Sequence, residues 1–253
     1  MELLRNASDS LKQHFGLVAA YVFGGVVMSL LASAVGVYID YRFPDWKEPP
    51  TPTAVHAIRV AMFVVLSALS ALMQTIIFSR IGREIDRPLW KVRDDREALQ
   101  RFYMMWFEMN LIVNTVLWLS NVYLGSEMLQ ALNLMMFMLG LFGVIVLVPF
   151  GSALMFHGRF SWSTLSEGLA PIGKRFMQVA PVFLLTFLQV IILIGVSISS
   201  NPEAGELRST ASRFATSAMF NGAIAYLDCV VFAAVWLVCK EDRDSPDELD
   251  LDF

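Results

Sequence analysis

Six long apolar stretches, separated by short polar runs, form the main pattern of this sequence. Each has at least the roughly 20 residues that a helix needs to cross about 30 Å of hydrocarbon. The pattern therefore predicts an all-α fold, a polytopic membrane bundle of six transmembrane helices that forms one domain over residues 1–239. The predicted spans cover approximately residues 16–39, 57–79, 102–124, 128–156, 177–199 and 216–238.

Two shorter segments have the composition of helices that lie on a membrane surface. Residues 1–15 mix leucines with charged side chains, which predicts a short amphipathic helix on the inner leaflet. Before the fifth span, Thr164 and Glu167 fit a capping box at a helix start. This motif predicts an interfacial elbow helix that leads through Pro171 into the fifth span.

The fourth span has two features that bear on its packing. Only Gly125, Ser126 and Glu127 separate it from the third span, so these two helices are expected to be antiparallel neighbours. Pro149 lies inside it and removes a backbone hydrogen bond, which predicts a tilt or kink at that point.

Composition supports a membrane protein. The chain is 56% hydrophobic and 17% charged, with a mean hydropathy of +0.57, too little polar residue content for a soluble domain of this length. The net charge of −4 gives no indication of a nucleic-acid partner. Membrane lipids are the partners that this composition implies.

The distribution of basic residues predicts an orientation. Of the 19 Lys and Arg residues, fourteen fall on the side that both termini share in a six-span topology, and five fall on the other side. Because cytoplasmic loops carry the excess of basic residues, both termini are predicted to be cytoplasmic. The acidic tail, residues 240–253, then lies in the cytoplasm.

Polar and small residues recur at helical spacing inside the spans, as in helices that pack closely or line a wet cavity. In the third span Asn110, Asn114 and Asn121 fall within about 40° of each other at 100° per residue. The other stripes include Gly25, Ser29 and Ser33, then Ser67, Ser70 and Gln74, then Thr186 and Gln189, and finally Ser217, Asn221 and Asp228.

Two carboxyl groups lie within predicted spans. Asp228 is near the centre of the last span, where a charged group costs at least about 2.5 kcal/mol on insertion scales. It is tolerated there if it is protonated, if it accepts a hydrogen bond from a side chain such as Asn221, or if it lines a wet cavity. Glu108 lies nearer the inner surface and points away from the asparagines. Both groups are interpreted either as structural hydrogen-bonding residues or as a functional site, which for Asp228 would bind a proton or cation.

The sequence contains no motif for catalysis or a cofactor. His-Glu-x-x-His, Gly-x-Ser-x-Gly, the Walker loop and Cys-x-x-Cys are all missing from the printed sequence. The three histidines fall at or outside the predicted span boundaries, which argues against a haem. Methionines cluster on the third and fourth spans but form no regular ladder for copper. We therefore predict a protein that is not an enzyme, with no catalytic residues, no metal and no cofactor.

Two segments outside the spans are candidate partner-binding surfaces. The acidic tail ends in Leu249, Leu251 and Phe253, so it is either a solvated disordered segment or a short motif for a basic, grooved partner. The loop at 80–101, which includes Arg83, Arg87 and Trp90, is either a solvated helical hairpin or a docking surface for a protein or for anionic lipid. A protein partner or a homo-oligomer is expected.

The segment Phe160–Leu169, preceded by Leu147-Val148-Pro149-Phe150, resembles the Ser-rich elbow of the YciC-like family of six-span bacterial inner-membrane proteins. The resemblance also covers the topology of most of the chain. It implies a bacterial inner-membrane location and no particular chemistry.

Three functions follow from these features. The first is a non-enzymatic inner-membrane subunit or scaffold that binds proteins through its cytoplasmic loops and tail. The alternative is a small transporter or channel with a proton or cation site at Asp228. The third is a lipid-modifying enzyme that uses Glu108 and His157 near the inner headgroups.

Overall fold

The computed structural model describes residues 2–44, 52–86, 92–122, 127–158, 165–199 and 210–244. Within these ranges the chain is all-helical and contains no strand, which confirms the all-α part of the predicted fold class. The helices are α1 (Glu2–Gln13), α2 (Phe15–Arg42), α3 (Thr53–Met73), α4 (Ser79–Ile85), α5 (Asp95–Val122), α6 (Glu127–His157), α7 (Leu165–Lys174), α8 (Phe176–Ser199) and α9 (Thr210–Arg243).

Four helices in the described ranges are long and apolar enough to cross a membrane. They are α2, the continuous rod Thr53–Ile85, the part of α6 from Leu134 to His157, and the part of α9 from Phe214 to Arg243. These match the first, second, fourth and sixth predicted spans. The third and fifth predicted spans are helical, as α5 and α8, but do not belong to this group of four.

The rod Thr53–Ile85 contains an irregular turn that its sequence does not predict. Between α3 and α4, residues Gln74–Phe78 form a π-helical segment. A π-helical turn carries more residues than an α-helical one and therefore changes which side chains face the interior, and such turns are frequent at functional sites. Here Gln74, Thr75 and Phe78 are all buried in the bundle.

Helices α5 and α6 pack closely because three glycines of α6 leave room for α5. Side chains added at Gly140, Gly143 and Gly151 would collide with Leu117, Val113 and Trp106, respectively. Residue numbers rise along α6 as they fall along α5, so the two helices are antiparallel, as the short connection predicts. Residues 123–126 of that connection lie outside the described ranges, and α6 continues as a helix through Pro149.

Helix α9 is the centre of the bundle. Its most apolar part is 67% buried, against 17% for α2, because α2, α6 and α8 all pack on it. The amphipathic α1 also packs on α9 and buries Ala7 and Leu11. Helix α7 contacts α6, α8 and α9. We call the end of the bundle that holds the C-terminal ends of α4, α6 and α9 the termini side.

Candidate functional site

A cavity of about 560 Å³ lies inside the bundle, and all six long helices contribute to its wall. Its volume falls in the range of pockets that hold small organic molecules. Its wall contains both apolar and polar side chains. The polar members are Tyr21, Ser29, Ser33, Ser70, Gln74, Asn110, Asn114, Gln189, Ser217, Asn221 and Asp228.

Asp228 is the acidic residue of this wall, and two hydrogen-bond donors hold its carboxyl group. The Gln189 side-chain amide donates to Oδ1 at 2.8 Å, and the Tyr21 hydroxyl donates to Oδ2 at 3.4 Å. The same Gln189 nitrogen also donates to the Ile224 carbonyl at 3.2 Å. The partners of Asp228 are therefore on α2 and α8, and not at Asn221 of its own helix.

Asn221 belongs to a second cluster on the same face of α9. Its amide nitrogen donates to the Ser29 hydroxyl at 3.1 Å and to the Ser217 carbonyl at 2.9 Å. The hydroxyls of Ser29 and Ser217 are 2.6 Å apart and share a hydrogen bond. These contacts join α2 to α9 beside the cavity.

The asparagines of α5 form matching contacts with the rod on the other wall. Asn110 donates to the Gln74 side-chain oxygen at 2.7 Å, and it also donates to the Trp106 carbonyl at 2.6 Å. Asn114 donates to the Ser67 hydroxyl at 2.9 Å. Asn121 lies on α5, but its side chain is outside the description.

These hydrogen bonds divide between two groups of helices that face each other across the cavity. One set joins α2, α8 and α9, and the other joins the rod to α5. A longer contact spans the two groups, from the Ser70 hydroxyl to the Met28 sulfur at 3.6 Å. A hydrogen bond between Tyr21 and Gln74 and the stacking of Phe78 on Phe232 also join the two groups, so the cavity lies between parts of the bundle that contact each other at the termini side.

Aromatic side chains close the cavity toward the termini side. The Phe78 ring lies 5.1 Å from the Tyr21 ring, 4.4 Å from Phe232 and 5.6 Å from Trp106. Phe232 in turn contacts Trp236 at 5.1 Å. Phe78, Trp106, Phe232 and Trp236 are all fully buried, so this layer leaves no open path to the termini side in the described structure.

A layer of ion pairs lies beyond the aromatic side chains. Arg243 at the end of α9 makes two hydrogen bonds to Asp86, at 2.7 and 2.8 Å, and its guanidinium lies over the Phe156 ring. Lys240 donates to the Ile85 carbonyl at 3.2 Å. Arg175 contacts Glu241 and Asp242.

The remaining predicted site residues lie away from the cavity. Glu108 is exposed on α5 and does not contribute to the cavity wall. Arg83 pairs with Asp95 and donates to the Arg93 carbonyl at 2.9 Å. The hydrogen bond from Arg80 and the neighbouring Arg83 lower the pKa of the Asp95 carboxyl below its usual 3.8.

Five predicted partner-binding residues, Arg87, Trp90, Leu249, Leu251 and Phe253, lie outside the described ranges.

The described wall of the cavity has an acidic side chain and no basic one. No described Lys or Arg contributes to the wall, and Asp228 is its single acidic side chain. Nor do the described ranges contain a group of three or more His, Cys, Asp or Glu side chains that could hold a metal ion. The wall is thus suited to neutral or cationic ligands, because an anion would meet a carboxyl group with no compensating cation.

Two cavity residues were not anticipated from the sequence as partners of the predicted site. Tyr21 lies near the start of a span, where aromatic residues are common for reasons of membrane anchoring alone. Gln74 belongs to the predicted polar stripe of the second span, but its partner Asn110 is on another helix, so the packing of the rod on α5 is what brings the two side chains together.

Comparisons of the chain with protein families, with curated proteins and with solved structures give no match. The fold and the site therefore place the described part of the chain in a broad class of protein. It is all-helical, with four helices able to cross a membrane and a polar cavity between its helices.

Proposed function

We propose that this protein binds a small organic solute in the cavity between its helices and carries it across the membrane. The observation that supports this most is the cavity itself, to which polar side chains from α2, the rod, α5, α8 and α9 converge. Polar residues that serve only to join helices need no space between them, because they bond to each other directly. Here Ser70, Asn114, Asn221 and Asp228 all reach a space of about 560 Å³.

We further propose that all six long helices cross the membrane. The rod, α6 and α9 can each cross, and contacts bring their C-terminal ends together: Asp86 meets Arg243, and Phe156 meets Trp236 at 5.1 Å. If α6 crosses and ends on the same side as the rod, the chain between them must cross as well. The same reasoning applies to α8 between α6 and α9.

The outer surfaces of α5 and α8 support this proposal. Met104 and Ile112 of α5 are each 57% exposed, and Leu184 of α8 is 69% exposed. Phe23 of α2 and Phe142 of α6 are exposed to a similar degree. Large apolar side chains around a whole bundle are expected where lipid, and not water, surrounds it.

The location proposed is a bacterial inner membrane, with both termini in the cytoplasm. The excess of Lys and Arg on the termini side and the resemblance to YciC-like proteins support it. Helix α7 would then lie at the cytoplasmic interface as the predicted elbow.

Thiol labelling tests whether the cavity is open to water. In a background with Cys229 and Cys239 replaced by alanine, Ser70→Cys places a thiol on the cavity wall. We expect a charged methanethiosulfonate reagent to modify it in membranes. The matched controls are Ser152→Cys, fully buried in α6, and Leu184→Cys on the lipid-facing surface of α8. Equal reactivity at all three positions would remove the evidence for a solute site.

The scaffold function and the absence of enzyme activity remain predictions, as does the lipid-modifying alternative. The tail residues and Arg87 and Trp90 lie outside the described ranges, and Arg83 is already paired with Asp95. Co-purification from mild detergent, with and without residues 240–253, tests the scaffold function, because a partner that depends on the tail is lost with it.

A further inference from the structure

We propose that the solute is an organic ammonium with an apolar body, whose cationic end binds to Asp228 while its body fills the rest of the cavity. This inference rests on the proposed function, because it names the substrate class of the same site. Three observations support it: the sign of the charge in the cavity, the hydrogen-bond acceptor positions that Asp228 has left, and the volume of the cavity with its apolar wall.

The charge in the wall selects against anions. Asp228 is its acidic side chain, and no described Lys or Arg accompanies it. Between apolar helices the effective dielectric constant is lower than in bulk water, so a carboxylate with no basic side chain beside it attracts a cation more strongly there than in bulk water. An ammonium group would neutralise the carboxylate and would itself be paired.

Asp228 has bonding capacity left for such a group. A carboxylate accepts about four hydrogen bonds, and the structure shows donors from Gln189 and Tyr21, one to each oxygen. Both donors stabilise the charged form and fix the orientation of the group. The remaining lone pairs are available to the N–H groups of a bound ammonium, since Asp228 itself lines the cavity.

The cavity is too large for a bare metal ion. Its volume of about 560 Å³ far exceeds that of a single dehydrated ion, and a small cation bound tightly needs six or more oxygen ligands around it. The wall instead offers one carboxyl group and a large apolar area, including Val113, Leu147 and Ile224. That combination matches a molecule with one charged end and an apolar body.

The position of Asp228 sets the direction of the ligand. Its partner Tyr21 touches the aromatic layer that closes the termini side, so the carboxyl group lies at the closed end. Ser217, on the opposite end of the wall, is eleven residues earlier on α9, a distance of about 16 Å along the helix. An ammonium of extended length up to roughly that value fits with its charge at the closed end.

Three probes with one body and different charges test this proposal. They are 3-phenylpropylammonium, the neutral 3-phenylpropanol and the anion 3-phenylpropanoate, titrated into the purified full chain in detergent by calorimetry. We expect the ammonium to bind at least tenfold more tightly than either of the others. In Asp228→Asn the ammonium should lose this advantage, while the affinity of the alcohol stays within about twofold of the wild-type value.

Binding in the cavity must be separated from partition into the micelle. Ser70→Phe fills part of the cavity, whereas Leu69→Phe adds the same ring to the more exposed neighbouring position. We expect Ser70→Phe to abolish ammonium binding and Leu69→Phe to leave it unchanged. Equal effects of the two variants would mean that the probe does not bind in the cavity.

A second measurement needs no variant at Asp228. Across ethyl-, butyl- and hexylammonium, each added methylene should raise affinity about threefold, because the body extends along an apolar wall. A flat series, a preference for the alcohol or the anion, or an ammonium preference that survives Asp228→Asn would overturn the proposal. If Ser70→Cys is labelled but none of the probes binds, the substrate class is wrong while the solute cavity stands. If Ser70→Cys is not labelled, the proposed function fails as well.

Discussion

At the scale of single residues, the carboxyl group of Asp228 accepts hydrogen bonds from Gln189 of α8 and Tyr21 of α2. A carboxyl group in the middle of an apolar stretch is conspicuous in any sequence, and so are the asparagines of α5. Asn221 was the nearest amide on the same helix, but seven residues of helix separate the two by about 10 Å along the axis. The observed donors, Tyr21 and Gln189, come from α2 and α8, and only tertiary packing brings them to Asp228.

Glycines show how tightly single positions are packed, and two of them give a matched prediction. A methyl group at Gly82 would lie 2.6 Å from a ring carbon of Trp236, which is fully buried. A methyl group at Gly36 of α2 would meet nothing within 4 Å. Gly82→Ala should therefore lower stability by about 1–3 kcal/mol through overpacking.

Gly36→Ala should leave stability unchanged or raise it by up to about 1 kcal/mol, since alanine is the better helix former. Thermal unfolding of the purified proteins in one detergent measures both changes. A similar loss in the two variants would contradict the close contact between α4 and α9.

At the scale of elements, the positions of the helices could be predicted, because they follow from the length of each apolar stretch and the periodicity of its residues. The limits of α2, α6 and α9 lie within a few residues of the predicted spans, since an apolar stretch of that length has few alternatives to a helix. The π-helical segment Gln74–Phe78 could not be predicted, because a change of helical pitch depends on contacts with α5 and α9. The antiparallel packing of α5 and α6 could be predicted, because the connection between them is short.

The ends of the rod and of α9 are held together by the Asp86–Arg243 pair, which gives a second prediction. Asp86 is 1% exposed and Arg243 is 33% exposed. Asp86→Asn keeps the shape of the side chain but removes its charge, so Arg243 keeps only its ion pair with the exposed Asp244 among the contacts described. Removing one member of a buried pair costs about 3–5 kcal/mol, and we expect about 2 kcal/mol here because Arg243 is partly solvated.

The coupling energy between Asp86 and Arg243 is measured with a double-mutant cycle. The cycle compares the unfolding of wild type, Asp86→Asn, Arg243→Met and the double variant. Asp9→Asn in α1 is the control, because the Asp9–Lys12 pair is exposed on both sides and its loss should not change stability measurably. A coupling close to zero would show that the pair does not hold α4 to α9.

At the scale of the whole molecule, the contacts between helices bear on which helices cross the membrane, and the hydropathy of each apolar stretch taken separately does not include them. Four helices of the described ranges are long and apolar enough to cross, and α5 is not among them because it holds charged and amide side chains. The contacts at the termini side join the ends of the rod, α6 and α9, and this arrangement supports the proposal that α5 and α8 also cross. Two of the asparagines that lower the hydropathy of α5, Asn110 and Asn114, line the cavity.

The side on which α6 ends therefore distinguishes six spans from four. In the cysteine-free background, Tyr41→Cys lies at the end of α2, Asp244→Cys follows α9, and His157→Cys lies at the end of α6; all three positions are exposed. With an impermeant maleimide on intact cells, we expect Tyr41→Cys to react and Asp244→Cys to react only after the membrane is opened. His157→Cys should behave like Asp244→Cys if α5 and α8 cross. Reaction of His157→Cys in intact cells, together with Tyr41→Cys, would mean that α5 does not cross, and the six-span proposal would have to be abandoned.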